Sequence, residues 1–300
     1  HEENLRQLHK QCDWVITLDR HAGIEYFDSP RDNPLIYDAY IIDCVPERED
    51  LGCLQMITST SNLLEVRRLL DEVLSLMGLS SSRRNAEFLL KNLKALSGRL
   101  AIRLTGHKPP AAELVALALS YHYCRLAPPD DECWLSLRNG FFVPVDDVSD
   151  LLPPLRNNLT QDEGHGQTQE GSEDHSTRGR PGSRPDLIYV SYIPRKGLSF
   201  QFVEVKYRRD LASVRRVELL DQVQKQVTCL RDRWADYYCR EEHAPVLALR
   251  RAKLARVLRF YADKAHRHAD DAEGAGLSED AYQELLVQID RMVELSLIHI

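Results

Sequence analysis

Arg184-Pro185-Asp186-Leu187-Ile188-Tyr189-Val190-Ser191-Tyr192-Ile193-Pro194-Arg195-Lys196-Gly197-Leu198-Ser199-Phe200-Gln201-Phe202-Val203-Glu204-Val205-Lys206 is the stretch that decides the reading of this chain. An acidic residue opens a β-rich apolar run, a short turn follows, and a second apolar run closes on Glu-x-Lys. With Arg195-Lys196-Gly197 as a three-residue hairpin loop and Gly197 in the left-handed position, Pro194 pairs with Leu198. That register sets Ile188 opposite Glu204 and Asp186 opposite Lys206. Side chains two apart share a face of a strand, so Asp186, Glu204 and Lys206 converge on one surface. A loop of two or four residues would turn Asp186 to the other side.

Composition sets the wider frame. The 300 residues can bury one large core or two ordinary ones, and 43% hydrophobic with 28% charged residues is the balance of a soluble globular protein. A formal net charge of −7 does not advertise nucleic-acid binding, so any such contact has to come from a local basic patch. The seven cysteines, Cys12, Cys44, Cys53, Cys124, Cys133, Cys229 and Cys239, are odd in number and never spaced Cys-x-x-Cys. That pattern argues for reduced thiols in a cytoplasm and against a zinc or iron–sulfur centre. No apolar run reaches membrane-spanning length, and no signal peptide is recognisable. A start at His1 reads as a fragment. The closing Leu295-Ser296-Leu297-Ile298-His299-Ile300 reads either as translated adapter sequence or as the apolar end of a helix.

The pattern along the chain divides it into three. Residues 1–108 read as an α/β region. Its strands are expected at Trp14–Leu18, Ile24–Phe27, Ala39–Val45 and Cys53–Thr58. Its helices are expected from Asn62 to Met77 and around Phe88–Leu96, with Gly98 as a C-terminal cap. Pro109-Pro110 opens a largely apolar helix over Ala111–Cys124. Trp134–Leu137 and Phe141–Val145 are expected as strands around the Asn139-Gly140 turn. Residues 156–183 are almost devoid of apolar side chains and are expected to be a disordered insertion. A long helix from Leu211 to Trp234 follows the hairpin. The region 244–300 reads as helical, with one helix over Val246–His268 and another starting near Ser278.

The order helix, three strands, helix, together with Pro185-Asp186 and Glu204-Val205-Lys206, resembles the PD-(D/E)XK nucleases over about residues 110–240. The fold class expected is therefore α/β: a mixed sheet flanked by helices with a restriction-endonuclease-like αβββα core over 109–243. The resemblance implies a metal-dependent deoxyribonuclease. A hard cation, Mg²⁺ or Mn²⁺, would polarise the phosphate and activate a water, and Mg²⁺ takes only one or two protein carboxylates. Asp186 and Glu204 would be ligands and catalytic residues, with the Val205 carbonyl as a third ligand. Lys206 would orient the water or stabilise the charged phosphate. An acidic residue on the first helix often joins the site in this family, and Glu113 is the positional match. It reads equally as a first-turn Glu favoured by the helix dipole. Gln222 and Gln226 are similar to the glutamine of RecB-like members, although the tyrosine four residues on is absent.

Two further expectations concern partners. Trp14–Arg20, Gly23–Asp28 and Leu96–Leu104 look like the region ahead of the motor in bacterial nuclease–translocase proteins, including phosphorothioation-dependent restriction ATPases and HerA/FtsK-type defence proteins. No Gly-x-x-x-x-Gly-Lys-Ser/Thr loop is present, so an ATPase motor would lie in another part or a partner. DNA contact is expected from the basic helix, where Lys253, Arg256, Lys264 and Arg267 share one side with Arg259 flanking, or else that helix is a solvated face. The competing function class is a nuclease-like module without catalysis that binds DNA or a partner.

Overall fold

In the computed structural model of the chain, the residues described are 2–19, 40–48, 54–96, 109–128, 135–145, 148, 151, 185–206, 216–239, 244–269, 275–295 and 298–299. The expected strand Ile24–Phe27, the cap Gly98 and the insertion 156–183 lie outside them. Helix and sheet are mixed throughout, as the α/β reading requires.

The first part opens with α1 (Glu2–Gln11), a helix that strand-directed reading passes over. β1 (Val15–Asp19), β2 (Tyr40–Arg48) and β3 (Leu54–Thr60) form an antiparallel sheet in the order β1-β3-β2, with Val15 opposite Ser59 and Cys44 opposite Ile57. α2 (Leu63–Leu76) starts where the Asn62 side-chain oxygen accepts the Leu64 amide at 3.0 Å. α3 (Arg83–Leu96) starts the same way, with Ser82 Oγ accepting the Asn85 amide at 3.1 Å. α4 (Pro109–Leu126) packs against both through Val115 and Ala118, which meet Val66, Leu70, Leu89 and Leu93.

The second sheet uses β4 (Gly140–Pro144), β5 (Leu187–Ile193) and β6 (Gly197–Val203). They are followed by α5 (Arg216–Cys239), α6 (Ala244–Arg267), α7 (Glu279–Leu295) and β7 (Ile298–His299). The strand order is β4-β5-β6-β7, antiparallel except for the parallel β6–β7 pair. Pleating splits its side chains between two cores. Phe141, Ile188, Val190, Phe200 and Phe202 face Leu230, Trp234, Leu254, Leu258 and Ile289. Phe142, Leu187 and Tyr189 face Leu96, Tyr121 and Cys124 on the other side. The Trp234 ring anchors α5, its centre 5.6 Å from that of Phe200 and 5.7 Å from that of Phe202. Full burial of a side chain of this size stabilises by roughly 1.5–3 kcal/mol. Among the described residues no helix is long and apolar enough to cross a membrane.

Several expectations need correction. Residues 135–137 are turn and irregular backbone rather than strand. The end of α4 uses their polar groups: the Leu137 amide donates to Cys124 O at 3.0 Å and Ser136 Oγ to Ala127 O at 2.7 Å. Asn139-Gly140 therefore makes no hairpin. Gly140 is required by close approach, since a Cβ there would lie 2.4 Å from Val190 O and 2.7 Å from the Tyr189 ring. Val246–Leu249 is helix, and the strand beside β6 is β7, with Leu198 opposite Ile298. α6 and α7 supply Leu254, Leu258, Leu285 and Ile289 to the core under β4–β6.

Candidate metal centre at the open end of the hairpin

The hairpin turn fixes the site from its far end. Pro194 leaves the ladder because it lacks an amide hydrogen and its fixed φ suits the second position of a turn. Arg195 follows with φ 68°, and the Lys196 amide closes the turn on Ile193 O at 3.0 Å. Ile193 consequently pairs with Gly197, which is left-handed at φ 94° as expected but lies in the strand. The loop is Pro194–Lys196 rather than Arg195–Gly197, and the whole pairing slides by two residues. A slide of two preserves the face of every side chain.

At the open end this register has one consequence for function. Leu187 pairs with Val203, so the next step along the ladder brings Asp186 opposite Glu204 instead of Lys206. Two further bonds hold Asp186 there. Its carbonyl accepts the Val145 amide at 3.0 Å, extending the β4–β5 ladder, and its Oδ2 accepts the Val205 amide at 2.7 Å. Asp186 is half-buried. Glu204 continues the row Leu198, Phe200, Phe202 beyond the end of β6, which explains why its side chain is only 2% exposed. One of its oxygens is ion-paired with the Lys206 ammonium, whose side chain is 38% exposed. The other, Oε2, is buried with no hydrogen-bond partner among the described residues.

The donor set fits a hard cation. Two carboxylates on adjacent strand ends match the one or two that Mg²⁺ usually takes from protein. An orphaned buried carboxylate oxygen costs about 1–3 kcal/mol, or more when charged, and a bound cation would remove that cost. Among the described residues no group of three or more His, Cys, Asp or Glu side chains gathers at a cation position. Glu113 lies on α4, and its side chain is outside the described residues.

On α5, Gln222 is exposed, whereas Gln226 is half-buried with its Oε1 unpartnered. Gln226 shares a stripe with Leu230 and Trp234, four residues apart each, and both of these are in the core.

The basic helix divides its charges unlike the sequence expectation. Arg250 lies 3.9 Å over the Tyr237 ring and donates to Tyr237 O, and buried Arg251 donates to Tyr238 O at 2.9 Å, so both secure the end of α5. Lys264 is fully buried and cannot join a solvent-facing stripe. Arg259 is engaged with Asp290 of α7. The three residues expected to touch DNA, Lys253, Arg256 and Arg259, are all exposed. Spacing gives the angle of a side chain around a helix, but not what is packed there. Compared with protein-family models, curated proteins and solved structures, the chain matches none.

Proposed function

We propose that this chain is a divalent-cation-dependent deoxyribonuclease of the PD-(D/E)XK type. It would form the nuclease part of a bacterial restriction or antiviral protein that acts in the cytoplasm with an ATPase translocase motor. One observation carries the reading: Asp186 and Glu204 each lie one step beyond the paired Leu187 and Val203 ends of β5 and β6, Lys206 is ion-paired with Glu204, and Glu204 keeps a buried oxygen with no hydrogen-bond partner among the described residues. The chain order α4, β4, β5, β6, α5 fits the αβββα core of that family.

Bound Mg²⁺ or Mn²⁺ would supply a Lewis acid at the phosphate and a water of lowered pKa. Asp186 and Glu204 hold it, with the Val205 carbonyl as a backbone ligand and Glu113 as a candidate from α4. The Val205 amide fixes the Asp186 carboxylate in orientation, so little reorganisation is needed when a cation binds. Lys206 is half-exposed and long enough to turn its ammonium toward a phosphate oxygen or the attacking water. Lys253 and Arg256 offer backbone contacts that carry no sequence information.

The test is nicking of supercoiled plasmid with Mg²⁺ or Mn²⁺. Wild-type protein should nick, and Glu204→Gln or Lys206→Ala should each lose about a hundredfold or more in rate while the protein stays folded. Equal nicking by wild type and both variants would remove the site from consideration.

A further inference from the structure

The Lys206 ammonium sits on the same Glu204 carboxylate that the proposed cation needs. The Glu204 side chain is almost fully buried and its Oε2 has no hydrogen-bond partner among the described residues, so Lys206 supplies its charge compensation from one side only. A buried carboxylate stripped of its counter-ion is strongly unfavourable, which gives the ion pair a reason to persist while no cation is bound. Lys206 lies beyond Val203, the last paired residue of β6, and its side chain reaches solvent. It can therefore let go of Glu204 without breaking a strand.

We infer that Lys206 is an internal occupant of the cation site, competing with the divalent ion for Glu204 until a nucleic-acid phosphate draws the lysine away. The inference rests on the nuclease reading above and adds a regulation to it: cation binding waits for substrate. The electrostatics set the direction. With Lys206 in place, the Asp186, Glu204 and Lys206 side chains sum to one negative charge, and without it they sum to two. Coulomb attraction for a divalent ion rises accordingly. A phosphate that engages Lys206 has the same effect as removing it. By linkage, the cation must strengthen phosphate binding by the same factor that phosphate strengthens cation binding. Such coupling would keep the unbound protein from holding an activated water with no phosphate to receive it.

The experiment measures Mn²⁺ binding to the full chain at pH 8 by loss of the free-ion electron paramagnetic resonance signal. Wild type, Lys206→Ala, Lys206→Gln and Glu204→Gln are compared, each with and without a short DNA duplex, after subtraction of Mn²⁺ bound by duplex alone. Without DNA, both Lys206 variants should bind Mn²⁺ about two- to fivefold tighter than wild type, the range of a partly exposed ion pair. Glu204→Gln should bind at least tenfold more weakly. Duplex should tighten Mn²⁺ binding to wild type and leave the Lys206 variants little changed. The Gln variant keeps the stem of the side chain, so a folding defect in the Ala variant does not decide the outcome.

If the Lys206 variants bind Mn²⁺ no tighter than wild type while Glu204→Gln still weakens binding, the competition is refuted and the nuclease site stands. Equal tightening of wild type and Lys206 variants by duplex refutes the coupling through Lys206. If Glu204→Gln binds Mn²⁺ like wild type, the cation is not at Glu204, and both this inference and the site assignment fall.

Discussion

The Val205 amide donates to Asp186 Oδ2 at 2.7 Å, closing the open end of the β5–β6 hairpin through a side chain where the strand ladder has ended. Asp186 is thus a structural clasp as well as a candidate ligand, and the two roles respond differently to substitution. A hydrogen bond to a charged acceptor is worth roughly 1.5–3 kcal/mol. Asp186→Ala should lower the unfolding free energy by about 1–2 kcal/mol in urea titrations, whereas Asp186→Asn keeps an acceptor and should lose less. Both should abolish plasmid nicking. An Asn variant that nicks at the wild-type rate would leave Asp186 with the clasp alone.

The turn at the other end of the hairpin offers a stability test. Arg195 occupies a left-handed conformation that costs an L-residue about 1–2 kcal/mol, while glycine enters it freely at the expense of unfolded-chain entropy. Arg195→Gly should therefore be neutral to stabilising, by up to about 1 kcal/mol. Pro194→Ala should destabilise by several tenths, since the ring presets the turn. Chemical denaturation of the two variants decides it; a clear loss of stability in Arg195→Gly would mean that the arginine side chain holds the turn.

Much of the second sheet was legible because its strands alternate between two apolar faces and are bounded by Pro, Asn and Gly. The register was not, because Pro194 could stand in the ladder or in the turn, and only its missing donor and fixed φ decide between them. Asp186 and Glu204 keep their face because the slide was even. Asn139-Gly140 misled for a different reason: a glycine chosen for close approach to Val190 O and Tyr189 has the same letters as one chosen for a turn. Trp134–Leu137 reads as a strand, yet the Leu137 amide is taken by Cys124 O at the end of α4. The core role of α6 and α7 depends on contacts between residues far apart in sequence, which periodicity does not encode.

His9 makes the first sheet sensitive to acid. Its Nε2 lies 3.0 Å from Ser59 Oγ between α1 and β3, and burial lowers its pKa from the ordinary value of 6.5. The unfolded chain then binds a proton at a higher pH than the folded one. The contribution of His9 is present above pH 6.5 and is lost as pH falls from there through the lower folded value. Unfolding free energy should decline between pH 7.5 and 5.5, and His9→Gln, which has no titratable ring, should show a shallower decline. Identical slopes would place the acid sensitivity on other groups.

The α6 basic residues separate a DNA-binding role from a packing role. Lys253 and Arg256 are three residues apart, so they lie on one side of the helix, and both are exposed. Arg259 is held by Asp290 and joins α6 to α7. If the exposed pair meets the phosphate backbone, Lys253→Ala with Arg256→Ala should weaken binding uniformly across sequences. It should also flatten the log–log salt dependence by about one unit per lost contact, with the cleavage position unchanged. Arg259→Ala should leave that slope alone and cost less than about 1 kcal/mol of stability, the range of an exposed ion pair. Fluorescence anisotropy over a salt series measures both. An unchanged affinity and slope in the double variant would make this face of α6 a solvated surface and send DNA elsewhere on the protein.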